Sequence, residues 1–237
     1  MTLPQVSAIV AVKNGERYLA QALESILSQD YPPLEVIVVD GGSSDESVKI
    51  AESYPKVRCI NQRGEKGFAD AWNQGIAVAR GDLIAILDSD DWWTPGKLKA
   101  QVELLIAQPE LDYSITRIRF ALEEGKPCPP GFKPELLKTD HIAYMPSALL
   151  ARKTMFEAMQ GFKTDWAISS DIDWFARAKD MNFKLGIVPE VMLYKRVHDA
   201  NLSYLDARTN HFNREIVGLL KQSLDRQRAN RSKGDKQ

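Results

Sequence analysis

Four short apolar runs separated by helix-like segments constrain the fold of this chain more than any other feature of its sequence. Val6 to Val12, Leu34 to Val39, Val57 to Asn61 and Leu83 to Leu87 read as strands. Between them, and after the last, apolar residues recur at helical spacing. Asn14 opens the first helical stretch, with the stripe Tyr18, Leu19, Ala22, Leu23, Ile26 and Leu27, and Pro32-Pro33 ends it. Gly41-Gly42-Ser43-Ser44-Asp45 is a turn into a short helix reaching about Tyr54. Phe68 to Arg80 is helical. Thr94-Pro95 gives an N-cap and a first-turn proline to a helix that buries Leu98, Val102, Leu105 and Ile106 and stops at Pro109. A strand–helix unit repeated four times predicts a mostly parallel α/β sheet with right-handed crossovers and helices on both faces. The Val- and Ile-rich run Leu34 to Val39 agrees, since both faces of such a sheet are covered. Ligands of such sheets sit at the carboxyl ends of the strands. Asp40 and Asp88-Ser89-Asp90-Asp91 fall at two of those ends.

The second half is less regular. Asp112 to Leu122 reads as a strand, and Glu123 to Thr139, with Pro127, Pro129, Pro130 and Gly131, as a surface loop. Ser147 to Ala151 and Phe183 to Leu193 read as strands flanking a helix from Ser170 to Met181. A last helix starts near Asp206 and carries Phe212, Ile216, Leu219, Leu220 and Leu224 on one side. That stripe is expected to pack on the rest of the chain or on a second subunit, which leaves a homodimer open. Residues 221–237 hold six basic and two acidic side chains, a weak pointer to peripheral contact with an anionic membrane.

At 237 residues the chain can bury a core without disulfide or metal staples. A net charge of −1 supplies no global field for a nucleic-acid polymer, so a bound anion must meet a local site. Cys59 and Cys128 have no metal spacing, and no basic leader precedes Val6; the expectation is a reducing, cytoplasmic setting. No apolar run approaches the roughly 20 residues that span a bilayer.

Three carboxylates crowd the end of the fourth strand at Asp88-Ser89-Asp90-Asp91. Like charges so close raise one another's pKa unless a cation sits among them. A divalent metal shared with a phosphate would resolve the repulsion; a solvated acidic turn is an equal alternative from these four letters alone. In Asp40-Gly41-Gly42-Ser43 the Asp can accept hydrogen bonds from a base or ribose, and the glycines admit a ligand to the backbone. Taken in isolation, those letters favour a tight strand-to-helix turn.

The two features occur in order within a longer series. Val6 to Asn14, Ser25 to Gln29, Val38 to Asp45, Gly67 to Ile76, Ala79 to Asp82 and Leu87 to Trp92 are followed by Arg152, Phe156, Gly161-Phe162, Asp171 to Arg177 and Arg196 to Ser203. The series resembles the family 2 glycosyltransferases, in their bacterial polysaccharide branch. The resemblance covers residues 4 to 204. It implies a GT-A fold with a nucleotide-binding first half, an acceptor-binding second half and a C-terminal helix, divided as residues 1–205 and 206–237. It implies an inverting, metal-dependent enzyme moving a sugar from a UDP-sugar to a glycan or lipid-linked glycan hydroxyl, in the cytoplasm or at the inner face of the membrane.

By the same resemblance, Asp40 binds the uracil ring beside the main chain of Ala11, with Asn14 nearby. Asp88 faces the ribose with Ser89 next to it, and Lys66 and Asp70 lie where a loop passes the nucleotide. Asp90 and His198 hold Mn²⁺ or Mg²⁺, and Asp171 is the base that takes the acceptor proton. A helix N-terminus at Asp171 would favour the ionised form a base requires.

The chain departs from the family pattern in places. Ser170 stands where many members carry an acidic residue, so Asp173 competes as base, against a reading as an exposed helix face beside Trp174. Ala11 offers no side-chain hydrogen bond. Trp72, where many members have Arg, reads as core. One of Trp92 and Trp93 is expected to pack in the core, Trp166 is an alternative lining of the acceptor pocket, and Cys59 reads as a buried apolar residue. His141 and His211 belong to no motif and read as surface or helix-face residues.

Three rivals are weaker. A nucleotidyltransferase wants a Gly-rich basic loop where this chain has Lys13-Asn14-Gly15-Glu16. An aspartate phosphatase wants its carboxylate pair after the first strand, not the fourth. A non-catalytic scaffold has no need to keep Asp90, Asp171 and His198 together. The Gln-x-x-Arg-Trp of processive synthases is missing from the sequence, which favours one sugar per encounter.

Overall fold

The computed structural model describes residues 3–64, 67–166, 169–199, 201, 215, 217–224 and 226. Among these lie nine strands: β1 (Val6–Val12), β2 (Glu35–Asp40), β3 (Val57–Asn61), β4 (Leu83–Asp88), β5 (Trp92–Trp93), β6 (Tyr113–Leu122), β7 (His141–Ile142), β8 (Leu149–Arg152) and β9 (Leu185–Val197). The helices are α1 (Leu19–Leu27), α2 (Ser47–Glu52), α3 (Gly67–Val78), α4 (Lys97–Ala107), α5 (Lys153–Met159) and α6 (Ser170–Asp180). The sheet runs β3-β2-β1-β4-β8-β6-β9-β5, with β7 on β6. Its first four strands are parallel; β8 then enters antiparallel between β4 and β6, and β9 runs parallel to β6. All residues of β1 and β2 are buried, as the unbroken apolar runs require.

Several expectations are corrected. Asn14 does not open α1, which begins at Leu19; it takes the left-handed conformation (φ +54°) and binds the neighbouring loop instead. Thr94 does not cap α4: the cap is Gly96, and the Thr94 hydroxyl points to Met192 Sδ at 3.1 Å. Ile106 is 47% exposed. The inner face of α4 is partly polar, because Lys97 and Gln101 are both buried there. Lys97 Nζ donates to Gln101 Oε1 at 2.7 Å and sits over the Trp93 ring at 4.2 Å. Gln101 Nε2 in turn donates to the carbonyls of Ser114 and Ala148. Complete burial drives the Lys97 amine well below the ordinary lysine range. Pro146–Ala148 is a 3₁₀ turn, so β8 starts at Leu149. The loop after β6 contains a second 3₁₀ turn, Pro134–Lys138, and is pinned by Phe132, buried against Phe120.

Residues 217–224 are helical and lie along α6. Glu215 accepts the Ser169 N–H at 3.0 Å, Lys163 Nζ donates to Gln222 Oε1 at 3.1 Å, and Arg226 Nε donates to Asp180 at 2.8 Å. A Cβ on Gly218 would stand 3.1 Å from the Trp166 ring, so Trp166 packs on this segment. Of the expected stripe, Leu219 is 4% exposed, whereas Leu220 and Leu224 are 60% and 54% exposed; Phe212 and Ile216 lie outside the described residues. The stripe is thus split: one leucine docks and two face outward. Leu219→Ala is expected to cost about 2–4 kcal/mol in denaturant unfolding, the usual cost of a buried leucine. Leu220→Ala is expected to stay within ~0.5 kcal/mol. Equal effects of the two would refute the docking.

Candidate active site

The site begins with sheet register. Ala11 pairs with Asp88 of β4 and, one residue on, Val12 pairs with Asp40 of β2, so three carboxyl-terminal strand ends lie side by side. The Asp40 carboxylate accepts the N–H groups of Gly42 at 3.0 Å and Ser43 at 3.1 Å. Gly42, at φ +81°, supplies the left-handed residue of that turn. The tight-turn reading of this stretch is therefore realised, with Asp40 at the strand end.

The loops after β1 and β2 are laced together. Asn14 Oδ1 accepts the Ser44 N–H at 2.8 Å, and the N–H groups of Asn14, Gly15 and Glu16 donate to Ser43, Ser47 and Asp45 at 2.9–3.0 Å. A Cβ on Gly15 would strike Val12 at 2.6 Å and approach Ser89 Oγ at 3.3 Å, so Ser89 lies against this laced floor. Asp70, in the first turn of α3, accepts from Gln62 Nε2 at 2.9 Å and Gln74 Nε2 at 2.7 Å. Lys66 lies outside the described residues.

Asp88, Asp90 and Asp91 each bring a carboxylate oxygen within 4.8 Å of the others. A cation already stands among them. Lys195 Nζ lies 3.1 Å from Asp91 Oδ2 and 3.3 Å from Asp88 Oδ2. Asp91 is fully buried, and its other oxygen accepts the Arg196 N–H at 3.0 Å. Burial pushes the Asp91 carboxyl up to about 7; Lys195 opposes this, and the charges of Asp90 and Asp88 add to it. Lys195 is held well above the lysine range, because three carboxylates outweigh its burial.

Asp90 turns elsewhere. Its Oδ2 meets His198 Nε2 at 3.0 Å and Asn201 Nδ2 at 3.1 Å. Burial alone would raise its pKa, but the His198 hydrogen bond and the Lys195 charge bring it below the usual carboxylate value. The His198 main-chain N–H donates to Asn201 Oδ1 at 2.7 Å, which ties together the two residues that meet Asp90. The His198 ring lies 4.8 Å from that of Tyr18. Arg196 stacks between Tyr18 and Trp92, at 4.5 and 4.6 Å from their centroids. Trp93 is the core member of the pair, its Nε1 donating to the Ser147 carbonyl at 2.8 Å.

Asp171 stands in the first turn of α6. Burial raises its carboxyl to about 6, against the opposing Ile172 N–H, and the Asp88 charge pushes in the same direction as burial. Desolvation thus outweighs the helix N-terminus. Asp173 is corrected: it is completely buried, not an exposed face, and Arg177 Nε holds it at 2.5 Å. Arg177 is anchored in turn on the carbonyls of Met159 and Gly161.

The family sequence model described as Glycosyl transferase family 2 matches residues 7–168. The chain belongs to glycosyltransferase family 2. Over 99 residues it is 43% identical to EpsH of Bacillus subtilis, named as a glycosyltransferase, a stretch covering 40% of this chain and 28% of that one. Over 128 residues it is 31% identical to TuaG of Bacillus subtilis, named as a teichuronic acid biosynthesis glycosyltransferase, covering 52% and 50%. The chain therefore spans half or less of the length of these two relatives. The crystal structure of S. aureus TarS 1-349 in complex with UDP superposes with a TM-score of 0.65 at 22% identity, covering 81% of this chain and 60% of that one. The same segment in complex with UDP-GlcNAc gives 0.67 at 20% identity, covering 83% and 60%. The fold is the GT-A fold.

Within this family 2 chain the donor set suits a hard divalent cation. Asp90 would supply carboxylate oxygens and His198 an imidazole nitrogen, and Asn201 Nδ2 lies 3.1 Å from each. Sequence reading gave no role to Lys195 or Asn201. A lysine at the end of a strand reads as a solvent-facing residue, and its partners Asp91 and Asp88 lie 104 and 107 positions away.

Proposed function

We propose that this chain transfers a single sugar from a UDP-sugar to a hydroxyl of a glycan or lipid-linked glycan, with inversion, in surface polysaccharide synthesis. The observation that carries the reading is the Asp90–His198–Asn201 group at the carboxyl end of β4, with the half-buried carboxylate of Asp171 close enough for the Asp88 charge to reach it. Bound Mn²⁺ or Mg²⁺ would neutralise charge growing on the departing diphosphate. Asp90 and His198 would hold that ion. Asp40, the Ala11 main chain and Asn14 receive the base; Asp88 and Ser89 face the ribose; Lys66 and Asp70 border the nucleotide. The acceptor oxygen forms its bond to the anomeric carbon as the carbon–oxygen bond to UDP breaks, and Asp171 takes the acceptor proton. No carboxylate acts as nucleophile, which is what inversion requires.

The TarS structures with UDP and UDP-GlcNAc support a uridine donor here. Among the described residues no helix is long and apolar enough to cross a membrane. We place the chain in the cytoplasm, meeting a lipid-linked acceptor at the inner membrane face. A panel of nucleotide sugars, assayed for Mn²⁺-dependent binding and for diphosphate release with and without glycan acceptors, tests the reading. Binding confined to UDP-sugars, with turnover on an acceptor, is expected. Equal binding of all nucleotide classes, or tight donor binding with no turnover on any acceptor, refutes it.

A further inference from the structure

Lys195 is a charged interior side chain to which the proposed reaction gives no task. Its side chain is only 14% exposed, and Nζ bridges Asp88 Oδ2 and Asp91 Oδ2. Both oxygens of Asp91 are thereby engaged by β9, one by the Lys195 ammonium and the other by the Arg196 N–H. Asp90, one residue earlier, presents its oxygen to His198 and Asn201 instead. Three neighbouring carboxylates are divided between two sets of partners.

We propose that Lys195 is the resident counter-cation of this cluster and sorts its members, withholding Asp91 from a divalent cation and leaving Asp90 with His198 to receive it. The proposal rests on the metal-binding reading of Asp90. Asp91 could not lie fully buried and ionised without a paired cation, because the interior would not solvate it. A metal bound through Asp91 would have to compete with Lys195 at Oδ2 or with the Arg196 N–H at Oδ1. The Asp90 side chain is 24% exposed, and its carboxylate meets His198 and Asn201, just beyond β9, while Arg196 of β9 holds only its main-chain carbonyl.

The test compares the full-length wild type, Lys195→Met, Asp91→Asn and the double variant. Thermal unfolding is recorded in EDTA and with Mn²⁺ plus UDP, and bound Mn²⁺ is counted by electron paramagnetic resonance. Lys195→Met is expected to lower the EDTA midpoint by roughly 10 °C, since it strands a buried charge. Mn²⁺ should restore part of the loss, because the ion can now take the freed carboxylate. Asp91→Asn should bind Mn²⁺ with UDP within about threefold of wild type. The double variant should recover the wild-type EDTA midpoint to within a few degrees.

Loss of Mn²⁺ binding by tenfold or more in Asp91→Asn would make Asp91 a ligand and overturn the sorting. An unchanged EDTA midpoint in Lys195→Met, or no recovery in the double variant, overturns the counter-cation. If Lys195→Met does not fold, Asp91→Asn and the double variant still decide. A wild type that takes up no Mn²⁺ at all fells the metal reading together with the sorting, a result distinct from a wild type that binds Mn²⁺ while Asp91→Asn does not.

Discussion

Asp90→Ala should leave a folded protein that no longer gains affinity for UDP when Mn²⁺ is added, with transfer lowered about 10²–10⁴-fold. The magnitude follows from the several kcal/mol that a bound metal contributes to a developing charge, at about 1.4 kcal/mol per tenfold. The side chain is partly accessible and its partners are the two members of one short turn, His198 and Asn201. Its removal therefore disturbs a loop end and not the sheet, unlike a change at the fully buried Asp91. Calorimetric titration of UDP with Mn²⁺ and with EDTA checks the result. A wild type that binds UDP equally well in both would remove the metal from the mechanism. A variant that keeps the Mn²⁺ effect would move the ligand elsewhere in the cluster.

Much of the parallel half was legible because its signals are local. Val6–Val12 and Val57–Asn61 are strands over the expected residues; the first is buried throughout, as its apolar run requires, and the second is a half-buried edge strand with Arg58 and Asn61 exposed. Strands β2 and β4 each run one residue further than the apolar run, because Asp40 and Asp88 are paired in the ladder despite their charge. The acidic cluster was visible for the same local reason.

What escaped was set by partners far along the chain. Lys195 reaches back more than a hundred positions to its carboxylates. The helical spacing that marked Leu219, Leu220 and Leu224 as one stripe cannot say which side docks; Trp166 and α6 decide that. Asp173 and Arg177 are four apart on a helix, a spacing that announces an ion pair but not its complete burial.

That burial separates the two candidate bases. Asp171→Asn keeps the shape of the side chain and removes its basicity. Donor binding should stay within a few-fold while turnover falls by roughly 10²–10⁴, the usual contribution of a positioned acid–base group. The wild type should also show it in its pH profile. A base must be ionised, and the Asp171 carboxyl is raised to about 6, so turnover should fall as pH drops through about 6 and level off above it. Stability should move the opposite way. With a folded pKa of about 6 against an ordinary 3.8, the native state holds the proton more tightly than the unfolded chain. Its stabilisation is complete below the unfolded value and is lost as pH rises through the folded one. At pH 8 the Asn variant should therefore unfold later than wild type, by an amount on the order of 1–3 kcal/mol. Asp173→Asn should do the reverse, because it leaves the Arg177 guanidinium buried without its counter-charge: a loss of about 3–5 kcal/mol in stability, with turnover per folded molecule largely kept. A stable, inactive Asp171→Asn beside an unstable, active Asp173→Asn assigns the base to Asp171. The opposite pattern, a stable and silent Asp173→Asn, would transfer that role to Asp173 and make the internal ion pair part of the chemistry.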